Sequence, residues 1–435
     1  MTAAGPSSSR VRWKIITLLA LAGFVAYLLR TNMSVAGEGM VRDLGLSQVQ
    51  LGLVLAAFAW GYALFQLPGG ILGEWLGGRR GLTLILVLWG VLNMLVGLIP
   101  GAGVLPLSLT IAALAGLRFL MGAAQAPLFP IMSGESIARW FPVGGWALPN
   151  GLTNAGLTLG AAATGPVIAW LVVTQGWRRS FVLTGPLAFL MAGLWWWYSR
   201  DRPAEHPAVS TAELALIAAG RPQSHSATPS HAGWALVLRD RNLLLIAASY
   251  FFANYVFYFF FNWLYIYLVD VRKFAVLEGG AFAAAPWITG AVGATLGGAV
   301  CDRLSRRYGM QWGCRAVSLT GLVLCGGFLV AAATATSPYV AVVFLSLCLA
   351  CQQFTDSAAW AASTLVGGRH ASAACGVLNT GGNVVGGIGA LLVPITAKAL
   401  GWPAALGTAS LCALLAGILW LWIRLEPAAD PAPNP

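Results

Sequence analysis

The chain has 435 residues, of which 58% are hydrophobic and 9% charged, and it carries a net charge of +11. Soluble domains carry about 25% charged residues, so this composition excludes a soluble globular protein and implies a polytopic membrane protein. A surplus of Lys and Arg on a soluble protein would suggest nucleic acid. Short cytoplasmic loops of membrane proteins concentrate the same residues, and no nucleic-acid partner is expected.

In chain order, residues 1–12 read as a cytoplasmic tail leading into an uncleaved first span. About 20 apolar residues cross a bilayer. On that template twelve spans are predicted, at 13–34, 49–72, 81–100, 106–133, 149–174, 180–198, 243–269, 278–300, 314–336, 338–364, 373–396 and 402–423. They make an N-terminal six-helix bundle over 13–198 and a C-terminal one over 243–424. A cytoplasmic linker at 199–242 joins the bundles, and residues 425–435 read as a disordered tail. The expected fold is an all-α membrane protein of twelve transmembrane helices in two six-helix halves.

The polar residues inside these spans carry the functional signal. Arg30 lies in the apolar run "VAYLLRTNMSVAG". An arginine near a bilayer centre costs roughly 3 kcal/mol, so it marks a functional site facing the bundle interior or a cavity. Its planar fork fits a substrate carboxylate; a structural pair with a neighbouring helix is the other reading. In the fourth span Arg118 precedes Gln125 by seven residues, placing both on one helical face. Glu38 and Glu135 sit towards span ends and read as vestibule or latch residues.

The seventh span, "YFFANYVFYFFFNWLYIYL", repeats Asn254, Tyr255, Tyr258 and Asn262 at helical spacing. Tyr255 and Tyr258 are candidates for the cavity, since a ring supplies shape and its hydroxyl fixes a polar ligand. Asp356 is the sole acid near the middle of a predicted span. It either carries a coupling proton or pairs with Arg30 or Arg118. Asn379 and Asn383, one turn apart in the Gly-rich "GVLNTGGNVVGG", can bind substrate or bridge helices. Gln66 and Asn154 read first as interhelical hydrogen-bonding residues. Cys348 and Cys351 form C-x-x-C in mid-span without His or acidic neighbours at ligand spacing, so neither a metal nor a disulfide framework is expected.

Seventeen of the 25 Lys and Arg residues fall on the side bearing the N-terminus and six on the other, placing both termini in the cytoplasm. The halves also repeat. "GGILGEWLGGRR" (Gly69–Arg80) aligns without gaps on "GGAVCDRLSRRY" (Gly297–Tyr308), and "GW" at Gly176–Trp177 echoes "GW" at Gly401–Trp402. Two parallel repeats are what a rocking-bundle transporter needs, with its site at mid-membrane between the halves. The repeated loop supplies acids and arginines, Glu74, Arg79 and Arg80 against Asp302, Arg303, Arg306 and Arg307. Pairing across the half interface would latch one conformation, although loop arginines also set topology.

The repeated loop, G-x-x-x-[DE]-x-x-x-x-R within a six-plus-six layout, resembles the major facilitator superfamily. "YLLRTNMSVA", "GYALFQLPGGILGEWLG", "LRFLMGAAQAPLFP", "ARWFP", "GWRRSF", "DRPAEHPAVSTAELALI" and "GVLNTGGNVVGG" narrow it to the anion:cation symporter family. That family includes bacterial sugar-acid importers and is related to the vesicular glutamate and sialic acid carriers. The resemblance implies that Arg30 meets the substrate's acid group and that Asn383 and Asn379 help bind it. It also implies titrating acids next to Arg30 and two turns after Arg118. This chain has Leu29 and Gln125 there, so proton coupling is non-standard or absent.

The function expected is therefore secondary active transport of a small organic anion across the inner membrane by alternating access. Arg30, Arg118, Gln125, Tyr255, Tyr258, Asn379 and Asn383 would bind substrate, and Asp356 is the possible coupling group. Protons or a counter-transported anion are the candidate co-substrates, the chain is expected to act as a monomer in the bilayer, and no cofactor is implied. An exporter of amphipathic compounds and a membrane sensor derived from a transporter remain as other readings. No nucleophile–base pair, metal cluster or phosphate loop points to an enzyme.

Overall fold

A computed structural model describes residues 9–219 and 238–425. The linker segment 220–237, the first eight residues and most of the tail predicted to be disordered lie outside the described residues, as does the Glu38 side chain. The main helices are Val11–Leu44 (α1), Gln48–Leu64 (α2), Gln66–Gly97 (α3), Leu107–Gln125 (α4), Ala147–Tyr198 (α5) and Thr211–Ala218 (α6). They are followed by Arg241–Asn262 (α7), Val276–Tyr308 (α8), Met310–Thr334 (α9), Pro338–Gly367 (α10), Ala371–Leu400 (α11) and Trp402–Leu419 (α12). Among the described residues, nine helical stretches are long and apolar enough to cross a membrane. Ala147–Tyr198 and Pro338–Gly386 are long enough for two crossings each, and the shorter apolar helix Val49–Leu64 adds another. The architecture is the expected all-α fold of twelve spans.

Element boundaries follow backbone chemistry more than hydropathy. α1 runs ten residues past its predicted end at 34 and stops at Gly45, whose left-handed φ of 68° closes the helix. The second predicted span breaks at Phe65, because the Pro68 ring crowds the carbonyl four residues earlier. The fourth continues beyond α4 through Pro127 and Pro130 into a π-helical turn, Ile131–Ile137. α5 holds two spans hinged at Gly176 (φ 80°, ψ 161°), and Gly401, its echo before α12, adopts φ 87° and ψ 163°. That backbone region is essentially restricted to glycine. The repeated "GW" is thus a repeated turn.

The halves meet where backbones touch. A Cβ at Gly151 of α5 would lie 2.2 Å from the Ala294 carbonyl of α8. One at Gly70 of α3 would lie 2.7 Å from the Ser372 carbonyl of α11. The pairs α5–α8 and α3–α11 occupy equivalent places in the two halves, as a parallel repeat requires. The central cavity lies between these contacts, lined from both halves by Arg30, Tyr62, Asn154, Tyr258, Asp356 and Asn383 among others.

Candidate functional site

Arg30 lies on α1 with its guanidinium in the cavity wall. Four rings surround it: Tyr27 at 5.3 Å, Phe58 at 5.0 Å and Tyr62 at 4.9 Å from the first half, and Phe261 of α7 at 5.7 Å. Such cation–π contacts stabilise the charge without neutralising it. Among the described residues no carboxylate forms an ion pair with Arg30. Of the structural pairs left open by the sequence, one with an acid of a neighbouring helix is thus not formed among the described residues. Tyr27 is three residues before Arg30, so this contact was legible as a one-turn pair; the α2 and α7 rings reach it only through tertiary packing.

Arg118 occupies a different place. It is buried, 3% exposed, and stands behind Phe58 with its guanidinium 4.7 Å from that ring. The Phe58 ring is thus shared by two arginines. Arg118 Nη2 donates to the Arg30 carbonyl at 3.5 Å, while its Nε and Nη1 have no partner. It does not line the cavity, and neither does Gln125, whose amide is buried without a hydrogen-bond partner. Leu29 is fully buried in the core of the first half, where a leucine fits and an ionised aspartate would not.

From Tyr258 a hydrogen-bond chain crosses the cavity. The Tyr258 hydroxyl donates to Asn383 Oδ1 at 2.6 Å. Asn383 Nδ2 donates to the Asn379 carbonyl at 2.7 Å and to its Oδ1 at 2.9 Å. Asn379 Nδ2 donates to Gln66 Oε1 at 2.6 Å and to the Tyr62 hydroxyl at 3.3 Å. Asn379 thus bridges helices of opposite halves, Asn383 bridges α7 and α11 within the second half, and both line the cavity. Tyr255 does not join them. It packs in the core of the second half, 3.7 Å from the position of a Cβ at Gly389, because α7 turns Asn254, one residue earlier, to the cavity.

Asp356 of α10 faces the same cavity. Its Oδ2 accepts from Asn154 Nδ2 of α5 at 2.9 Å, and its Oδ1 accepts from the Tyr250 hydroxyl of α7 at 2.8 Å. Of the two readings left open for Asp356, the salt bridge to Arg30 or Arg118 is not formed among the described residues. Tyr27, Tyr62, Tyr250 and Gln353 also line the cavity and were not singled out in the sequence. Single in-span polar groups of this kind also serve as packing residues, so the sequence does not set them apart.

The repeated loops meet the opposite half through backbone rather than arginine. Glu74 Oε1 accepts the Ala373 N–H at 3.0 Å and Oε2 meets His370 Nδ1 at 3.0 Å, at the start of α11. Asp302 accepts the N–H groups of Ala147 at 2.8 Å and Leu148 at 3.1 Å, at the start of α5. Each acid caps the positive end of the equivalent helix in the other half. The arginines expected to pair with them point elsewhere. Arg79 donates to the Trp196 carbonyl at 3.0 and 2.7 Å and stacks on its ring, and Arg307 lies 5.3 Å from the Tyr308 ring. Arg80, Arg303 and Arg306 are exposed. Glu135 pairs with Arg139 on its own helix. Among the described residues no cluster of three or more His, Cys, Asp and Glu has metal-binding geometry.

Comparison with known proteins agrees with this architecture. The Major Facilitator Superfamily profile matches residues 19–353. The "Probable sulfoacetate transporter SauU" of Cupriavidus necator is 30% identical over 378 residues, covering 87% of this chain and 85% of its own. The "Probable galactarate/D-glucarate transporter GudP" of Bacillus subtilis is 30% identical over 393 residues, covering 88% and 85%. The "Hexuronate transporter" of B. subtilis is 27% identical over 442 residues, covering 98% and 99%. Among solved structures, the proton:xylose symporter XylE superposes with a TM-score of 0.77 at 13% identity, covering 97% of each chain. The Escherichia coli fucose:proton symporter FucP gives 0.71 at 15%, covering 96% of this chain and all of its own. These likenesses establish the fold. The chain belongs to the major facilitator superfamily and is a multi-pass membrane transporter rather than an enzyme.

Proposed function

We propose that the protein is a secondary carrier that moves small organic anions of the carboxylate or sugar-acid type across the inner membrane by alternating access. The observation that carries this reading is Arg30, a cavity-lining guanidinium boxed by rings and free of any carboxylate among the described residues. The Tyr258 hydroxyl takes up part of the guanidinium edge, and the remaining N–H groups stay available to a planar acid group. Relatives named as transporters of sulfoacetate, galactarate or glucarate, and hexuronate support the anion class. Tyr258, Asn383 and Asn379 read the rest of the substrate, and Arg118 holds the Arg30 backbone and Phe58 ring in place from behind. Both termini lie in the cytoplasm by the arginine bias of the loops. The acids Glu74 and Asp302 then latch the cytoplasmic side closed.

Coupling does not use the positions of Leu29 and Gln125, since one is a core leucine and the other lies off the cavity. Ligand-induced thermal stabilisation tests the anion class, because a ligand that binds the folded state stabilises it by mass action. Purified protein is expected to gain stability with one or more of sulfoacetate, glucarate and glucuronate and none with neutral sugars. The gain is expected to vanish in Arg30→Ala. Equal protection of both proteins would sink the Arg30 clamp.

A further inference from the structure

The cavity holds two opposite charges that the protein does not pair. Arg30 stands on α1 of the first half, and Asp356 stands on α10 of the second. Tyr27 lies within the electrostatic reach of both. Asp356 is 6% exposed, and the donors facing it, Asn154, Tyr250 and the Trp360 indole N–H, are all neutral. Among the described residues no Lys, Arg or His forms an ion pair with it. Neutral donors orient a carboxylate and leave its charge uncompensated, which is costly in a site of low polarity. Each Asp356 oxygen has accepted one hydrogen bond and has capacity for another.

An ammonium group matches what remains. It brings the missing charge and three donors, and it needs no acceptor that the site lacks. Phe129 and Phe257, whose rings line the same cavity and are not engaged with Arg30, also favour a cation. We propose that the substrate carries an ammonium group in addition to its acid group. The acid docks on Arg30 and the ammonium on Asp356, which narrows the acid-bearing cargo to a zwitterion, an aminocarboxylate or aminosulfonate whose anionic part is what Arg30 binds. This inference rests on the assignment of Arg30 as the acid-group clamp. Because the two charged residues belong to different halves, such a molecule ties the halves together across the cavity.

Titration calorimetry on the full-length purified protein tests it with matched sets of increasing chain length. β-Alanine is compared with 3-hydroxypropanoate and malonate, and taurine with isethionate and sulfoacetate, followed by their longer homologues. The amino member of at least one set is expected to bind at least about tenfold tighter than its hydroxyl and diacid counterparts. Asp356→Asn is expected to erase that preference and leave the hydroxyl members nearly unchanged, while Arg30→Ala removes binding throughout. A wild-type ranking with hydroxyl or diacid members at the top, still dependent on Arg30, overturns the ammonium site and leaves the anion carrier standing. Tighter diacid binding in Asp356→Asn with no amino preference in the wild type does the same, and marks Asp356 as a proton carrier. Binding that ignores Arg30, or none at all, overturns both readings. The wild-type ranking decides the matter even if the Asp356 variant fails to fold.

Discussion

A guanidinium held by aromatic faces instead of a carboxylate is stable in place yet free to meet an incoming acid. Arg30 has that environment, with rings at 4.9 to 5.7 Å. Lysine keeps the charge and loses both the fork and the stacking, so Arg30→Lys is expected to bind anions at least about tenfold more weakly while still above Arg30→Ala. Tyr258→Phe removes one hydrogen bond to Asn383, worth about 1 kcal/mol, and should weaken binding roughly fivefold in the same calorimetric titration. The sequence made Arg30 and Asp356 legible, because a charge in an apolar run must be explained. It grouped Arg118 with the substrate-binding residues, because helical spacing tells which residues share a face, not which neighbour that face meets. Phe58 comes between Arg118 and the cavity only because α2 packs on α4. Tyr255 and Asn254 are adjacent and point about 100° apart on α7, so the face shared by Asn254 and Tyr258 meets the cavity and Tyr255 does not.

At the scale of elements, acids cap the helices of the opposite half. A cap lost from a helix N-terminus costs about 1 kcal/mol, so Glu74→Gln or Asp302→Asn should shift the balance against closure on that side roughly fivefold. Distances between spin labels on the Gly77 and Gly309 turns and the starts of α11 and α5 would report it, and unchanged distributions would contradict the latch. The linker has its own capped contact. Glu213 of α6 accepts the Val11 and Arg12 N–H groups at 3.2 Å each, at the start of α1. Nearby, His206 packs on Tyr198 at 4.9 Å, and its Nδ1 accepts the Ala208 N–H at 3.2 Å. Burial, and secondarily Arg200, lowers the His206 pKa below its ordinary 6.5. The folded state therefore prefers the neutral ring. Its contribution is complete above pH 6.5 and shrinks as the pH falls below that, where the unfolded chain takes up the proton first. Melting temperature against pH should carry this slope in the wild type and lack it in His206→Phe.

Across the whole molecule, the cross-half hydrogen bonds of the described residues lie at the cavity or on the side of the repeated loops. Ser133 with Thr364 at 3.2 Å, Glu74 with α11 and Asp302 with α5 close that side. Asn154–Asp356 and Asn379–Gln66 mark the cavity level. Opening there must break these bonds, and forming them again elsewhere is what makes a two-state carrier bistable. The six-plus-six plan was readable because apolar length and the repeated loop are local properties of the chain. Which helices touch was not, because the α5–α8 and α3–α11 contacts depend on glycines whose partners lie more than a hundred residues away. With Leu29 in the core and Asp356 assigned to the substrate, transport is expected to run without a proton gradient, and a protonophore should leave uptake unchanged. Arg30 as the anion clamp is tested by counterflow of a radiolabelled organic acid, chosen from the thermal-shift panel, in proteoliposomes of wild-type and Arg30→Ala protein. Exchange is expected in the wild type, inhibited by unlabelled acid and not by neutral sugar, with none in Arg30→Ala; equal exchange by the two proteins would rule the clamp out.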